Sequence, residues 1–83
     1  MKAQQTIARF ITTQLLDGER DVGFDDEIVL DGTIDSLGVT RLIDHLEREF
    51  GIAIPPQDVT IENFRSIATM ADYVISRQAT ESP

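Results

Sequence analysis

The sequence predicts an all-α fold: a small four-helix bundle of three longer helices and one short helix, with a long acidic loop between the first and second. Apolar residues recur with the 3.6-residue period of a helix in three separate segments. Each apolar stripe is too wide to remain in water, so the helices are expected to meet around one core. The only stretch with β character, Ile52-Ala53-Ile54, is too short to found a sheet.

The first helix is predicted over residues 3–16. Its stripe has the spacing i, i+3, i+4 and i+8 and consists of Ile7, Phe10, Ile11 and Leu15. Gly18 follows directly, at a position where helices often need a residue with left-handed backbone geometry. The spacing and the glycine together predict that this helix ends just before residue 18.

Residues 17–35 form the predicted acidic loop. They contain eight carboxylates and one basic residue, Arg20. Their net charge of −7 is nearly the whole of the chain's net charge of −8. A loop of this length inside a small domain is usually functional or disordered. The apolar residues Phe24, Ile28 and Leu30 predict an ordered loop that they anchor by packing onto the helices.

The second helix is predicted over residues 36–50. Its stripe has the spacing i, i+3, i+4, i+7 and i+11 and consists of Val39, Leu42, Ile43, Leu46 and Phe50. Asp35 precedes it, where a carboxylate accepts hydrogen bonds from the free N–H groups of the first turn. Gly51 is expected to end it.

The remaining helices follow Pro55-Pro56, through which no helix can continue. A short helical turn is predicted over residues 60–64, with Thr60 as its cap. A last helix is predicted from a Ser66 cap to about Arg77, with a stripe of Ile67, Met70, Ala71 and Val74. The chain is thus expected to form one domain over residues 1–77, followed by a polar C-terminal tail over residues 78–83.

Composition excludes several function classes. An acidic surface repels phosphate backbones and anionic headgroups, so neither nucleic acid nor membrane is expected as a partner. The chain has no Cys and one His, which argues against thiolate chemistry, disulfides and Cys- or His-ligated metals. No signal-like or membrane-spanning apolar segment is visible, which predicts a cytoplasmic location. A domain of 83 residues has little room for an enclosed active site.

Ser36 and His45 are the only possible nucleophile–base pair. They lie nine residues apart on the second helix, so they face nearly opposite sides and are separated by a rise of roughly 13.5 Å. This geometry excludes a Ser–His hydrolase site, so no catalytic residue is predicted and His45 is expected to face solvent. The loop carboxylates lack the EF-hand spacing and are read as a solvated acidic surface without a metal site.

The junction Asp31-Gly32-Thr33-Ile34-Asp35-Ser36-Leu37-Gly38 remains as the candidate site. Ser36 follows the capping Asp35 at the first turn of a helix, so its hydroxyl should point outward. The N-terminus of a helix favours a phosphate electrostatically. Taken alone, Asp-Ser-Leu is a weak signal, and an ordinary helix-start serine would explain it.

The signal does not stand alone, because the chain resembles the acyl carrier protein family over about residues 4–77. That family attaches its cofactor at Asp-Ser-Leu, at the head of the second helix and shortly after a glycine. The resemblance continues through the Phe50-Gly51-Ile52 ending of that helix, through Pro55 and through Asn63-Phe64 to the final helix with Tyr73-Val74.

The resemblance implies a carrier protein without catalysis of its own. Ser36 would receive 4′-phosphopantetheine from coenzyme A through a phosphopantetheinyl transferase, and the arm's thiol would hold an acyl or aminoacyl group as a thioester. Asp35 would cap the second helix and orient the transferase or its metal. Leu37 would be an apolar contact for partner enzymes.

The second helix departs from the family pattern in its charge, and this departure indicates which partner enzymes to expect. The second helix carries two arginines against three carboxylates, whereas fatty-acid carriers typically have a strongly acidic one. We therefore expect a discrete, monomeric carrier of polyketide or nonribosomal-peptide biosynthesis, as in antibiotic pathways. An adenylating enzyme or acyltransferase would load it, and ketosynthase, condensation or acyl-transfer enzymes would follow. Partner contacts are expected at Leu37, Thr40, Arg41 and Asp44.

Three other interpretations stay open. The chain could be a carrier of fatty-acid synthesis, or an acidic helical adaptor that is never modified. A cation-responsive acidic domain is a further alternative. Modification of Ser36 separates the carrier interpretations from the others.

Overall fold

The computed structural model describes residues 2–16, 18 and 22–81, and within them it contains four α-helices and no strand. The helices are α1 (Lys2–Phe10), α2 (Ser36–Phe50), α3 (Ile61–Phe64) and α4 (Ile67–Glu81). A π-helical turn, Ile11–Leu15, continues α1, and a 3₁₀ turn, Pro56–Asp58, precedes α3. The predicted all-α bundle of three longer helices and one short helix is confirmed.

One hydrophobic core lies between the helices, and α1 packs chiefly along α4. All four predicted stripe residues of the last helix have no accessible surface, which confirms the period used to place them. The fully buried large side chains are Ile7, Ile11, Ile28, Leu42, Leu46, Ile67, Met70 and Val74. Phe10, Leu15, Val39, Ile43 and Phe50 pack half-buried around this core.

The predicted first helix widens in its second half. Leu16 N–H donates to Ile11 O at 3.0 Å, five residues back, in place of the four-residue step of an α-helix. The side chain of Thr13 donates to Arg9 O at 2.7 Å and so competes for a carbonyl of the preceding turn. Gly18 then adopts φ +74°, the left-handed geometry predicted for it.

The last helix is longer than predicted, because α4 continues to Glu81 and the predicted end near Arg77 is wrong. Two side chains tie its final turns to the end of α2 and to the segment that follows it. Arg77 Nη2 donates to Ala53 O at 3.0 Å, and Gln78 Nε2 donates to Phe50 O at 3.2 Å. The predicted tail is therefore helical as far as Glu81, and residues 82–83 lie outside the described residues.

The acidic loop is anchored by a different set of residues than predicted. Ile28 is fully buried as expected, but Phe24 and Leu30 are 37% and 55% exposed, so the prediction is wrong for these two. Val22 and Ile34 are buried in their place. Part of the predicted loop, residues 17 and 19–21, lies outside the described residues.

The path of the loop explains this exchange. Asp31 N–H donates to Glu27 O at 2.9 Å, and this bond closes a single helical turn. In this turn the Ile28 side chain faces the core and the Leu30 side chain faces solvent. Phe24 contributes its backbone instead of its ring, because its carbonyl accepts from Ala68 N–H at 2.9 Å.

Within the described residues no helix is long and apolar enough to cross a membrane.

Candidate functional site

The candidate site begins with the cap of α2. Asp35 has extended backbone geometry, and its Oδ1 accepts a hydrogen bond from Gly38 N–H at 2.8 Å. This bond satisfies one of the free amides of the first turn, as the sequence predicted. The cap therefore fixes where α2 begins and which residue, Ser36, occupies its first position.

Gly38 lies at the end of the predicted junction, but no role was predicted for it from the sequence. A Cβ at this position would lie 2.7 Å from Ile34 Cγ2 and 3.3 Å from Asp35 Oδ1. The buried Ile34 therefore packs against the bare backbone of the first helical turn. A glycine in the third position of an otherwise good helix was the available signal, because glycine is costly there unless space requires it.

The turn before Asp35 is built from local hydrogen bonds. Thr33 N–H donates to Asp31 Oδ1 at 2.8 Å, and Ile34 N–H donates to Ile28 O at 3.0 Å. Gly32 adopts φ +81°, which favours glycine. These contacts hold the end of the acidic loop against the core directly before the candidate serine.

Ser36 is exposed at the first residue of α2. Its carbonyl accepts from Thr40 Oγ1 at 3.0 Å, while its hydroxyl lies at the positive end of the helix dipole. A cavity of about 460 Å³ adjoins it, lined by Val29, Gly32, Ile34, Asp35, Ser36 and Val39. The serine thus stands between solvent and a recess with aliphatic walls.

The predicted partner residues lie on the exposed side of α2. Leu37 is 69% exposed, which is the largest exposure among the large apolar side chains of the described residues. Thr40, Arg41 and Asp44 are exposed as well. Asp44 pairs with Arg48 at 2.8 Å, one helical turn further on. A second cavity, of about 240 Å³, lies between Leu37, Arg41 and the end of the loop.

His45 does not face solvent as predicted. It is half-buried, and its ring stacks on Phe10 with centroids 3.9 Å apart and planes 9° from parallel. The helical period of α2 alone could not show this, because the ring that covers His45 belongs to α1. Ser36 borders a different cavity, so the structure does not bring the two residues together.

The loop carboxylates make structural contacts. Asp26 Oδ2 accepts from Gly23 N–H at 2.8 Å, and Glu27 pairs with Arg65, the residue after α3. In the part of the chain that the structure describes, no three or more His, Asp or Glu side chains are grouped so that they could hold a metal ion.

The junction fits the covalent group that the resemblance implies. Such a group needs an accessible hydroxyl, an environment that favours a phosphodiester, and space beside it. Ser36 provides the hydroxyl, the N-terminus of α2 provides the favourable field, and the cavity next to Val29 and Val39 provides the space.

Comparisons with known proteins agree with this geometry. The family model described as the phosphopantetheine attachment site matches residues 5–74, which includes every element from α1 into α4. No curated protein matches the chain. Domains of this family are carriers with a covalently attached 4′-phosphopantetheine group. The chain therefore belongs to the phosphopantetheine-binding family of carrier domains, and 4′-phosphopantetheine is its prosthetic group.

Proposed function

We propose that the chain is a discrete acyl carrier protein that carries an acyl or aminoacyl group on an arm attached to Ser36. The observation that carries the proposal is the position of Ser36, which is exposed at the capped start of α2 beside an aliphatic cavity. The carrier domain is proposed to span residues 1–77.

The attachment itself would be performed by a phosphopantetheinyl transferase. The Ser36 oxygen would form a bond to the β-phosphorus of coenzyme A as the pyrophosphate bond breaks, and adenosine bisphosphate and the proton of the hydroxyl would be released. The helix dipole of α2 stabilises the resulting phosphodiester anion. Asp35 holds the first turn in place, and its second carboxylate oxygen remains available to orient the transferase or its metal.

When bound, the arm supplies the thiol on which cargo is held as a thioester. The chain contains no Cys, so this sulfur must come from the prosthetic group. The chain's own part is to present the arm, and the cavity beside Ser36 offers Val29 and Val39 as apolar contacts for it.

The charge of α2 favours a specialised pathway over fatty-acid synthesis. The helix carries Arg41 and Arg48 against three carboxylates, so it offers a basic partner little attraction. We infer that the chain works in polyketide or nonribosomal-peptide biosynthesis in the cytoplasm. An adenylating enzyme or acyltransferase would load it, and ketosynthase, condensation or acyl-transfer enzymes would receive the cargo.

Partner enzymes are proposed to contact Leu37, Thr40, Arg41 and Asp44, which share the exposed side of α2. Leu37 would enter an apolar recess of the partner, and the polar residues would set orientation. Such contacts are expected to be transient, because a monomeric carrier must leave each enzyme for the next.

Intact-mass measurement tests the attachment. The chain is incubated with coenzyme A and a broad-specificity phosphopantetheinyl transferase, and a gain of one phosphopantetheinyl unit is expected. Ser36→Ala should abolish the gain, whereas Ser76→Ala, at an exposed serine of α4, should leave it unchanged. No gain while a control carrier is modified would reject the proposal and favour an unmodified adaptor.

The pathway needs a separate test. The modified chain is offered to adenylating enzymes and to malonyl-type acyltransferases, and the acid that becomes attached is identified by mass. Attachment by an adenylating enzyme or a polyketide acyltransferase supports the specialised pathway. Loading and elongation only by fatty-acid-synthesis enzymes would contradict it.

A further inference from the structure

The side of the bundle where α1 meets α2 carries a cleft that the proposed attachment site does not use. Two adjoining cavities, of about 210 and 240 Å³, share Phe10 and His45. Arg41 and Arg48 border the first cavity, and Arg9 borders the second. We call this feature the basic cleft and define it by Arg9, Phe10, Arg41, His45 and Arg48.

The basic cleft concentrates positive charge in an acidic chain. It holds three of the seven Lys and Arg side chains of a protein whose net charge is −8. Arg41, His45 and Arg48 have the spacing i, i+4 and i+7, so they form one stripe along α2. Asp44 and Glu49 are the two carboxylates at its edges.

Much of the hydrogen-bonding capacity in the cleft is unused. Asp44 neutralises Arg48, but Arg9 and Arg41 form no ion pair with any residue that the structure describes. Within the same residues, His45 Nε2 is buried without a hydrogen-bond partner. Two exposed guanidinium groups thus flank a stacked aromatic pair, which is an arrangement suited to planar carboxylates.

We propose that the basic cleft is a docking site for an acidic segment of a partner protein. Aspartate or glutamate side chains of that segment pair with Arg9 and Arg41, and its apolar atoms rest on the Phe10–His45 stack. This site extends the proposed partner surface from α2 onto α1. It requires no modification of Ser36, so it can fail or succeed independently of the carrier function.

The acidity of the rest of the chain does not prevent this binding. At physiological ionic strength, charges more than about 8 Å apart are largely screened, whereas direct guanidinium–carboxylate pairs persist. A nucleic acid fits less well, because three arginines release few counterions while the acidic loop repels a continuous phosphate backbone.

The test is an NMR titration of the unmodified, ¹⁵N-labelled full chain with a short glutamate-rich peptide. A lysine-rich peptide of equal length is the comparison. We expect saturable shifts of the Arg9 and Arg41 side-chain Nε–H signals and of the Phe10 and His45 amides. The affinity should fall as salt is added.

Variants locate the site. Arg9→Gln and Arg41→Gln should each weaken peptide binding about tenfold, the loss expected for one charge-assisted pair. Arg65→Gln is the matched control, because it removes a guanidinium group that lies outside the cleft. This variant should bind the peptide as tightly as the parent does. Equal shifts with the lysine-rich peptide, or equal weakening by Arg65→Gln, would overturn the proposal. Concentration-dependent shifts of the same signals without peptide would also overturn it, since they would indicate self-association.

Discussion

The rings of Phe10 and His45 stack with centroids 3.9 Å apart and nearly parallel planes, and this contact joins α1 to α2. The backbone of α1 lies chiefly along α4, and the ring pair adds a side-chain contact between α1 and α2. The contact also lowers stability in one respect, because His45 Nε2 is buried and lacks a hydrogen-bond partner among the described residues.

Replacing His45 by Phe should therefore stabilise the fold. His45→Phe keeps the stacked ring and removes the unsatisfied nitrogen, so the free energy of unfolding should rise by up to about 1 kcal/mol. His45→Ala removes the stack and should lower it by about 1–2 kcal/mol. Urea denaturation followed by circular dichroism measures both, and a Phe variant less stable than the parent would contradict this interpretation.

The contrast between stripe residues and His45 shows what periodicity can predict. The stripes of α2 and α4 were placed correctly, because a helix dictates which of its own residues share a face. The loop has no such period, so the burial of Val22 and Ile34 in place of Phe24 and Leu30 depends on tertiary packing. The partner ring of His45 likewise comes from another helix, which the sequence of α2 does not encode.

The candidate site was predictable to the extent that it depends on local chemistry. The cap by Asp35 and the exposure of Ser36 follow from residue types at the start of a helix. The close approach of Ile34 to Gly38 does not, because it depends on the path by which the loop returns to the core.

The close approach of Ile34 to Gly38 predicts the direction in which an alanine at position 38 changes the free energy of unfolding. Alanine in a helix is ordinarily favoured over glycine by about 1 kcal/mol. Gly38→Ala should nevertheless lower the free energy of unfolding, by about 1–3 kcal/mol, because its Cβ would lie 2.7 Å from Ile34 Cγ2. Chemical denaturation measures the change, and a stabilised variant would mean that the crowding is relieved at no cost.

A double-mutant cycle isolates the contact. Ile34→Ala removes the crowding methyl but also leaves a cavity, so alone it should cost about 2–4 kcal/mol. Combined with Gly38→Ala, the loss should be smaller than the sum of the two single losses by at least about 0.5 kcal/mol. Additive losses would show that the two positions do not interact.

The Glu27–Arg65 pair connects the acidic loop to the residue that follows α3. Both side chains are about half exposed, so the pair should contribute no more than about 1 kcal/mol to global stability. Arg65→Gln should therefore leave the denaturation midpoint nearly unchanged. Its effect should be local, since the loop loses a contact with the remainder of the bundle.

Hydrogen exchange distinguishes the local effect from the global one. In Arg65→Gln the amides of Asp31 and Ile34, which close the turn before Asp35, should exchange several-fold faster. The amide of Leu46, inside α2, should keep its protection. Added salt should reproduce part of the loop effect in the parent chain, because it screens an exposed pair. Unchanged exchange at both loop amides would show that the pair does not hold the loop.

Asp35 is expected to act twice, as the cap of α2 and as a charged group used in the attachment reaction. Asparagine caps helices about as well as aspartate does, whereas alanine cannot cap. Asp35→Ala should therefore lower the free energy of unfolding by about 1 kcal/mol, and Asp35→Asn by no more than the charge–dipole contribution of about 0.3–1 kcal/mol.

The rate of attachment should separate the two roles of Asp35. If its charge orients the transferase or the metal of that enzyme, Asp35→Asn should be modified at least about tenfold more slowly while it keeps its cap, since one lost charge-assisted contact has that size. A time course of intact mass with coenzyme A and transferase measures this rate. Asp72→Asn, which removes the same charge from an exposed residue of α4, is the matched control and should be modified at the parent rate. Modification of Asp35→Asn at the parent rate would leave capping as the only role of this carboxylate, because the amide preserves the geometry at Ser36 and removes nothing but the charge.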